Sequence, residues 1–551
     1  MNGALSTLYL GWIGGAHHRE LMRDGAASHP PATATAARTR RRLLLLGAAA
    51  RAVRPVALVL VRKLLAASAA AALMLGSAAV AKADTVTDWN ATFLDAAAAA
   101  KLGGPESARI GAIVQAAVYD AVNGVGRRYT PYRVDRAAPS STSADAAAAG
   151  AAYTALIALI PSQRTLFDQR LNATLAGLAT ASGTLTRPVA QGLEWGRTVA
   201  KGMLAWRVRD RIRTKEGEYV VKAVPGGWQP TSPTPGPPVD RQFATLTPFA
   251  LTSPSQFTPP APPSVAGHTY ALDQAEVQAL GGARSGERTP RETRIALFWH
   301  ADMPVAVWNH AADGLIVTER TSLPDSARLL ALLNIALADT TIGIRNAQSA
   351  DDFWRPVTAI AATANAAWTP LLPSPDVQEY PSTDAALANA AATVLASLYG
   401  DRTSFVVTSA GAVRRFTSFS SAVRQVEASE IYAGIDFRFS CQAGARLGDL
   451  VARYSVSTLM RSTRRCPPFY LRPTSSRAAS RGDAAGGDVS ATERLVASLW
   501  QVQPWTSGRP HPASVTRDSA DRGSMTVCPR QSRSSRACHA GGRGFESRRS
   551  R

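Results

Sequence analysis

Hydrophobic positions recur on a helical period along most of the chain. Residues 92–122 are alanine-rich with repeating Leu, Ile and Val, and Gly103-Gly104-Pro105 divides them into two helices. A third helix covers 146–160 and stops at Pro161. In 162–178, Leu166, Leu171, Leu175 and Leu178 keep a 3–4 spacing, with Ser162 as the predicted N-cap. Residues 187–213 continue in the same style, with Pro188 in the opening turn. Residues 225–263 hold 12 prolines, which forbids a regular helix and predicts a long ordered loop or wrap. Helical periodicity returns over 289–318, 324–345, 384–399, 418–433 and 442–460. The best short strand is 404–408, and no solenoid-length repeat is evident. The pattern predicts an all-α helical bundle with a long Pro-rich loop.

Composition sharpens this picture. The 551 residues are 46% hydrophobic and 18% charged, which excludes a wholly disordered chain. The net charge of +21 invites a nucleic-acid reading, but its distribution argues against one. Residues 1–83 carry 11 basic and 2 acidic side chains, 84–460 carry 33 and 32, and 461–551 carry 17 and 6. The body is balanced and the basicity lies in the ends, so no nucleic-acid partner is expected. Cys466, Cys528 and Cys538 lie in the tail and only Cys441 in the body, so no disulfide framework or zinc spacing arises there.

The ends read as packaging. Arg62-Lys63, an apolar stretch over 64–80 and Ala81-Lys82-Ala83 have the order of a secretory signal peptide cleaved after Ala83. The stretch is short and weak for a stable membrane span. The expected location is therefore secreted or periplasmic. Arg40-Arg41-Arg42 has a twin-arginine flavour, yet Arg51, Arg54 and Pro55 interrupt the apolar run behind it. Residues 1–60 are expected to lie upstream of the natural start, near Val61. The tail 461–551 is rich in Arg, Ser and Gly, and 495–500 is its one apolar piece. Codons for Gly544-Phe545-Glu546-Ser547 can read like a transfer-RNA T-arm, which suggests a frame shifted near 465. The alternative is a genuine basic low-complexity tail.

Three segments in the second half stand in order. The first is Ala338-Asp339 through Asp352-Phe353-Trp354-Arg355-Pro356-Val357-Thr358-Ala359-Ile360. The second is Trp368-Thr369-Pro370-Leu371-Leu372, then Glu379-Tyr380-Pro381-Ser382. The third is Ser429-Glu430-Ile431-Tyr432-Ala433-Gly434-Ile435-Asp436-Phe437-Arg438-Phe439. With Phe298-Trp299 and Trp308-Asn309 upstream, the chain over roughly 88–460 resembles the bacterial vanadium-dependent haloperoxidase family, within the superfamily that includes the type 2 phosphatidic acid phosphatases. The resemblance implies an all-helical bundle holding one tetrahedral oxyanion, vanadate or phosphate. A Lys and two Arg neutralise it, Ser and Gly donate hydrogen bonds, one His attacks or ligates and a second acts as acid/base. Relatives of this kind are often dimers or larger, so a homo-oligomer is compatible.

Matched to those motifs, this sequence departs at most site positions. Gln348 stands at the family's Lys, while Arg355 keeps its Arg. Ser382 is kept, Thr383 replaces Gly and Asp384 replaces the acid/base His. Glu430 falls on the second Arg and Asp436 on the nucleophilic or vanadate-ligating His. Ser440 replaces the acidic residue usual after it. Formal charges at these positions sum to −2, with Arg355 against Asp384, Glu430 and Asp436. Two like charges ~4 Å apart cost about 4 kcal/mol at an effective dielectric of 20, so an added oxyanion is disfavoured. Of His268, His300 and His310, the latter two precede the first motif and read first as ordinary packed or surface histidines. Three functional readings are open: a haloperoxidase-fold protein of altered or lost activity, a divalent-cation binder using Asp384, Glu430 and Asp436, or family activity persisting through a rearranged site. Each implies a small-molecule or ion ligand.

Overall fold

The computed structural model describes residues 84–231, 236–363 and 367–463. The predicted upstream segment, signal peptide and nearly all of the tail, with its three cysteines, lie outside these residues. Chain contacts divide the protein into Met1–Pro468 and Phe469–Arg551, and every described residue belongs to the first unit.

Thirteen α-helices and one hairpin make up the regular structure among the described residues. In chain order the helices are α1 (Thr85–Ala99), α2 (Gly104–Gly126), α3 (Ala144–Leu159), α4 (Arg164–Leu178), α5 (Arg187–Arg207), α6 (His268–Leu280), α7 (Pro290–Trp299), α8 (Pro304–Thr318), α9 (Leu323–Asp351), α10 (Pro356–Ala362), α11 (Thr383–Tyr399), α12 (Phe419–Ala433) and α13 (Arg438–Thr458). The all-α prediction holds. The Gly103-Gly104-Pro105 break separates α1 from α2, with Pro105 in the first turn of α2.

Several local expectations change. Ser162 does not cap α4: it is exposed in the short 3-10 turn Pro161–Gln163, and Phe167 is the fully buried residue of that helix. The run 289–318 is two helices, because Pro304 disfavours helical backbone at Met303 and starts α8 anew. Thr289 opens α7 with a capping box to Glu292. Helix α6 carries little periodic signal, because only Tyr270 and Val277 of its residues are buried.

The predicted strand has a partner. Strand β1 (Phe405–Ser409) pairs antiparallel with β2 (Ala412–Phe416) across Ala410-Gly411, both at positive φ, as a two-residue hairpin turn requires. Arg414 and Arg415 give β2 the look of a polar loop. The hairpin lays Phe405 over Trp308 and Phe416 against Trp299.

Helix α9 is the axis of the packing. It contacts α2 on one side and α11 and α13 on another. It is the one described helix that by itself is long and apolar enough to cross a membrane, and 94% of its most apolar window is buried inside the protein. Helices α3 and α4 pass that test only as a pair, bent by 119°. A helix apolar all round is at home in the core of a protein.

The Pro-rich segment runs as a strap fastened at intervals. Trp228 is fully buried and its backbone N–H donates to Asp352 O at 2.8 Å. The buried Asp339 carboxylate of α9 accepts the N–H groups of Phe249, Ala250 and Leu251 at 2.6, 2.6 and 2.9 Å. Tyr380 Oη donates to Pro260 O at 2.6 Å. Beyond α13 the described chain continues to Thr463, where residues 461–463 bond back to Arg128, Tyr129 and Thr130.

Glycines set the closest crossing beside the site. A Cβ on Gly444 would lie 2.2 Å from Ser382 O, and one on Gly448 only 2.0 Å from Ala386 O. Both obstacles are backbone, so no side-chain rotation relieves them. Gly448→Ala is expected to destabilise the protein by about 1–3 kcal/mol through overpacking, measured by urea denaturation; an unchanged midpoint would refute this account of the α11–α13 contact.

Candidate functional site

The residues that the motifs single out come together where α9, α11, α12 and the adjoining turns meet. Gln348 sits in the last turn of α9. Its Nε2 donates to Pro381 O at 2.9 Å and to Thr383 Oγ1 at 3.1 Å. Arg345, one turn earlier on the same face, donates to Gln348 Oε1 at 2.7 Å. Its Nε is buried without a partner. Arg355 caps α10 and is 3% exposed. Its Nε donates to Val377 O at 2.9 Å and its Nη2 to Gln378 O at 3.2 Å, while Nη1 forms a buried ion pair with Asp436.

Ser382 caps α11, accepting the Ala385 N–H at 3.4 Å, and places Asp384 in the first turn, where the helix dipole favours a negative charge. Glu430 lies in the last turn of α12, where the dipole opposes it. His300, at the C-cap of α7, offsets that: its Nε2 is 3.2 Å from Glu430 Oε1. One wall is aromatic, with Tyr270, Phe353, Tyr380, Phe437 and Phe439 in mutual contact. Against it, Glu379 accepts the Phe437 N–H at 2.9 Å and its Oε2 is buried unpartnered.

Burial raises every acid here whose shift is resolved. Asp384 is pushed up to about 7, by desolvation and then by the Glu430 charge. Desolvation takes Asp436 to about 6 against the pull of Arg355. Glu379 lies well above its usual range, from burial and then the Asp436 charge. Burial works to lower His300, but Glu430 and Asp384 carry it up to about 9.

The expected grouping of Asp384, Glu430 and Asp436 is therefore divided. Asp436 is taken by Arg355, and the ligand atoms that converge, all within 4.8 Å of one another, belong to His300, Asp384 and Glu430. The net −2 summed over the motif positions is only part of the local charge. Arg345 and His300 supply positive charge that the motifs did not place there, and protons on the buried acids remove part of the negative. Arg345 had a signal, an ionisable side chain inside an apolar run three residues before Gln348. His300 comes from a helix 130 residues away from Glu430, and only its position beside Phe298-Trp299 marks it in the sequence. His268 and His310 are exposed, away from this set.

Residues 328–465, which contain all three motifs, match the family model of the VCPO second helical-bundle domain. Among solved structures, one similar chain is described as the first bacterial vanadium-dependent iodoperoxidase. It has a TM-score of 0.62 and 22% identity, covering 68% of this chain and 97% of that one. Apo-type and holo-type bacterial vanadium-dependent chloroperoxidase structures each match at TM-score 0.53 and 16% identity, over 65% of this chain and 94% and 92% of theirs. This chain has the vanadium-dependent haloperoxidase fold. No curated protein matches it.

The raised groups fix a pH dependence. A folded acid above its unfolded 3.8 contributes stability fully present below that value and lost as pH rises through about 6 for Asp436 and 7 for Asp384. His300 contributes stability present below 6.5 and lost through about 9. All three act in the same direction. The melting temperature is expected to fall between about pH 5 and 9, and Asp384→Asn to flatten the fall around the Asp384 value of about 7. A melting temperature that rises over this range would contradict the assignment.

Proposed function

We propose that this protein keeps the haloperoxidase scaffold but has given up vanadate-dependent halide oxidation, and that its site serves a small ion or molecule of different chemistry. The observation that carries the reading is the commitment of Arg355. Its Nε and Nη2 donate to Val377 O and Gln378 O and its Nη1 to Ile435 O and Asp436, so four of its five N–H groups are taken within the protein and its charge is already paired with a carboxylate. Gln348 is likewise held by Arg345, Pro381 and Thr383. A vanadate or phosphate in this place would meet the Asp384, Glu430 and Asp436 carboxylates where the relatives' motifs supply histidines and an arginine. The residues present do not fit the oxyanion.

The apolar stretch at 64–80, behind Arg62-Lys63, supports export of the mature chain from Asp84 onward. Asp84 opens the described structure by capping α1, accepting the Thr87 N–H at 2.9 Å.

The purified protein, incubated with orthovanadate, peroxide and bromide, is expected to leave monochlorodimedone unhalogenated and to release no phosphate from p-nitrophenyl phosphate. Orthovanadate is expected to leave its melting temperature unchanged. Vanadate-dependent bromination would overturn the reading in favour of family chemistry through a rearranged site.

A further inference from the structure

We propose that His300, Asp384 and Glu430 form a binding site for one divalent transition-metal ion of the zinc or manganese type, a reading that deepens the altered-site proposal and rests on it. Three features of the cluster point to a cation. The first is convergence: the ligand atoms come from α7's cap, α11 and α12, and lie within 4.8 Å of one another. The His300 Nε2 to Glu430 Oε1 distance of 3.2 Å suits two ligands ~2.1 Å from one ion. The remaining contraction is within the reach of a carboxylate rotation.

The second is the fixed imidazole. His300 Nδ1 lies 2.9 Å from Ala296 O. A carbonyl only accepts, so Nδ1 carries the proton and Nε2 faces the two carboxylates. A bare nitrogen lone pair aimed at a carboxylate is repulsive, so a proton or a metal ion must lie between them. A backbone carbonyl that fixes the ring this way is the support that metal-ligating histidines use.

The third is Asp384. Among the described residues its carboxylate accepts no hydrogen bond, although His300 and Glu430 beside it are only 9% and 4% exposed. Asp384 itself is half-buried, and a carboxylate left without a donor at the edge of the cluster is open to a cation, which satisfies it directly.

One imidazole and two carboxylates favour a borderline ion over Ca²⁺ or Mg²⁺, which prefer oxygen alone. Exchanging Asp436 for His300 in the ligand set thus changes the expected metal. Three protein ligands leave a coordination position for water or substrate.

The test uses the full mature chain, stripped with chelator and titrated with Zn²⁺, Mn²⁺ and Mg²⁺. The expected result is one Zn²⁺ or Mn²⁺ per chain with a raised melting temperature and a much weaker response to Mg²⁺. Asp384→Asn, which breaks no hydrogen bond, is expected to weaken binding by ~100-fold or more, as loss of a direct ligand should exceed outer-shell effects of about 10–100-fold. An anomalous-scattering map at the metal edge should place the ion between His300 Nε2 and Glu430. Absence of stoichiometric binding, binding indifferent to Asp384→Asn, or an anomalous peak elsewhere would each overturn the site. Vanadate-dependent bromination would sink the altered-site proposal alone and leave this titration to be judged by itself.

Discussion

A buried helix can carry strongly polar groups cheaply only where they find partners, and α9 meets that constraint at Asn334, Asp339 and Gln348 while leaving Ser326 Oγ, Thr340 Oγ1 and Arg345 Nε unpartnered. Asn334 exchanges hydrogen bonds with Asn309 at 2.8 and 3.1 Å. Asp339 takes three amides from the strap, and Arg345 donates one bond to Gln348, which goes on to Pro381 and Thr383 at the site. The apolar positions between them hold α2 on one flank and α11 and α13 on the other. The helix thus packs between α2 and the α11–α13 pair and brings Arg345 and Gln348 of its last turns to the cluster of charges at the candidate site.

That concentration obeys the energetics of buried ions. A lone charge in such a place costs several kcal/mol, so charges persist there as compensated sets. Two sets are visible, Arg355 with Asp436 and His300 with Asp384 and Glu430. An oxyanion site asks for an excess of positive groups with free donors. Here Asp384, Glu430 and Asp436 instead engage the nearby cations Arg355 and His300 within the protein. The arrangement is mutually consistent: each of these acids lies beside Arg355 or beside His300 from the end of α7.

The helices were legible because their signals are local: alanine runs, 3–4 spacing and proline or glycine breaks. The pattern misleads where a competing rule acts, as with Pro304 inside a continuous period or Arg414 and Arg415 in β2. The family fold was legible from three ordered motifs, and the structure brings Arg355 of the first against Asp436 of the third, with Ser382 of the second capping α11. Pairing was not legible. Nothing in the spacing says that Asp436 binds Arg355 while Glu430 turns to His300, because that choice depends on how α7 and α12 pack through Trp299, Ala433 and their neighbours.

The strap fastened to Asp339 has a thermodynamic side. Holding a long irregular segment in one path normally costs about 1–2 kcal/mol of backbone entropy per residue. Proline has already surrendered much of that freedom in the unfolded chain. A segment with 12 prolines in residues 225–263 therefore starts partly ordered, and a few anchors, Trp228, Asp339 and Tyr380, suffice to hold it. The same stiffness makes its described stretch 236–263 a poor hinge: a displacement at the Asp339 fastening is passed on toward the Tyr380 fastening rather than absorbed, which ties the turn carrying Tyr380 and Ser382 to the centre of the core.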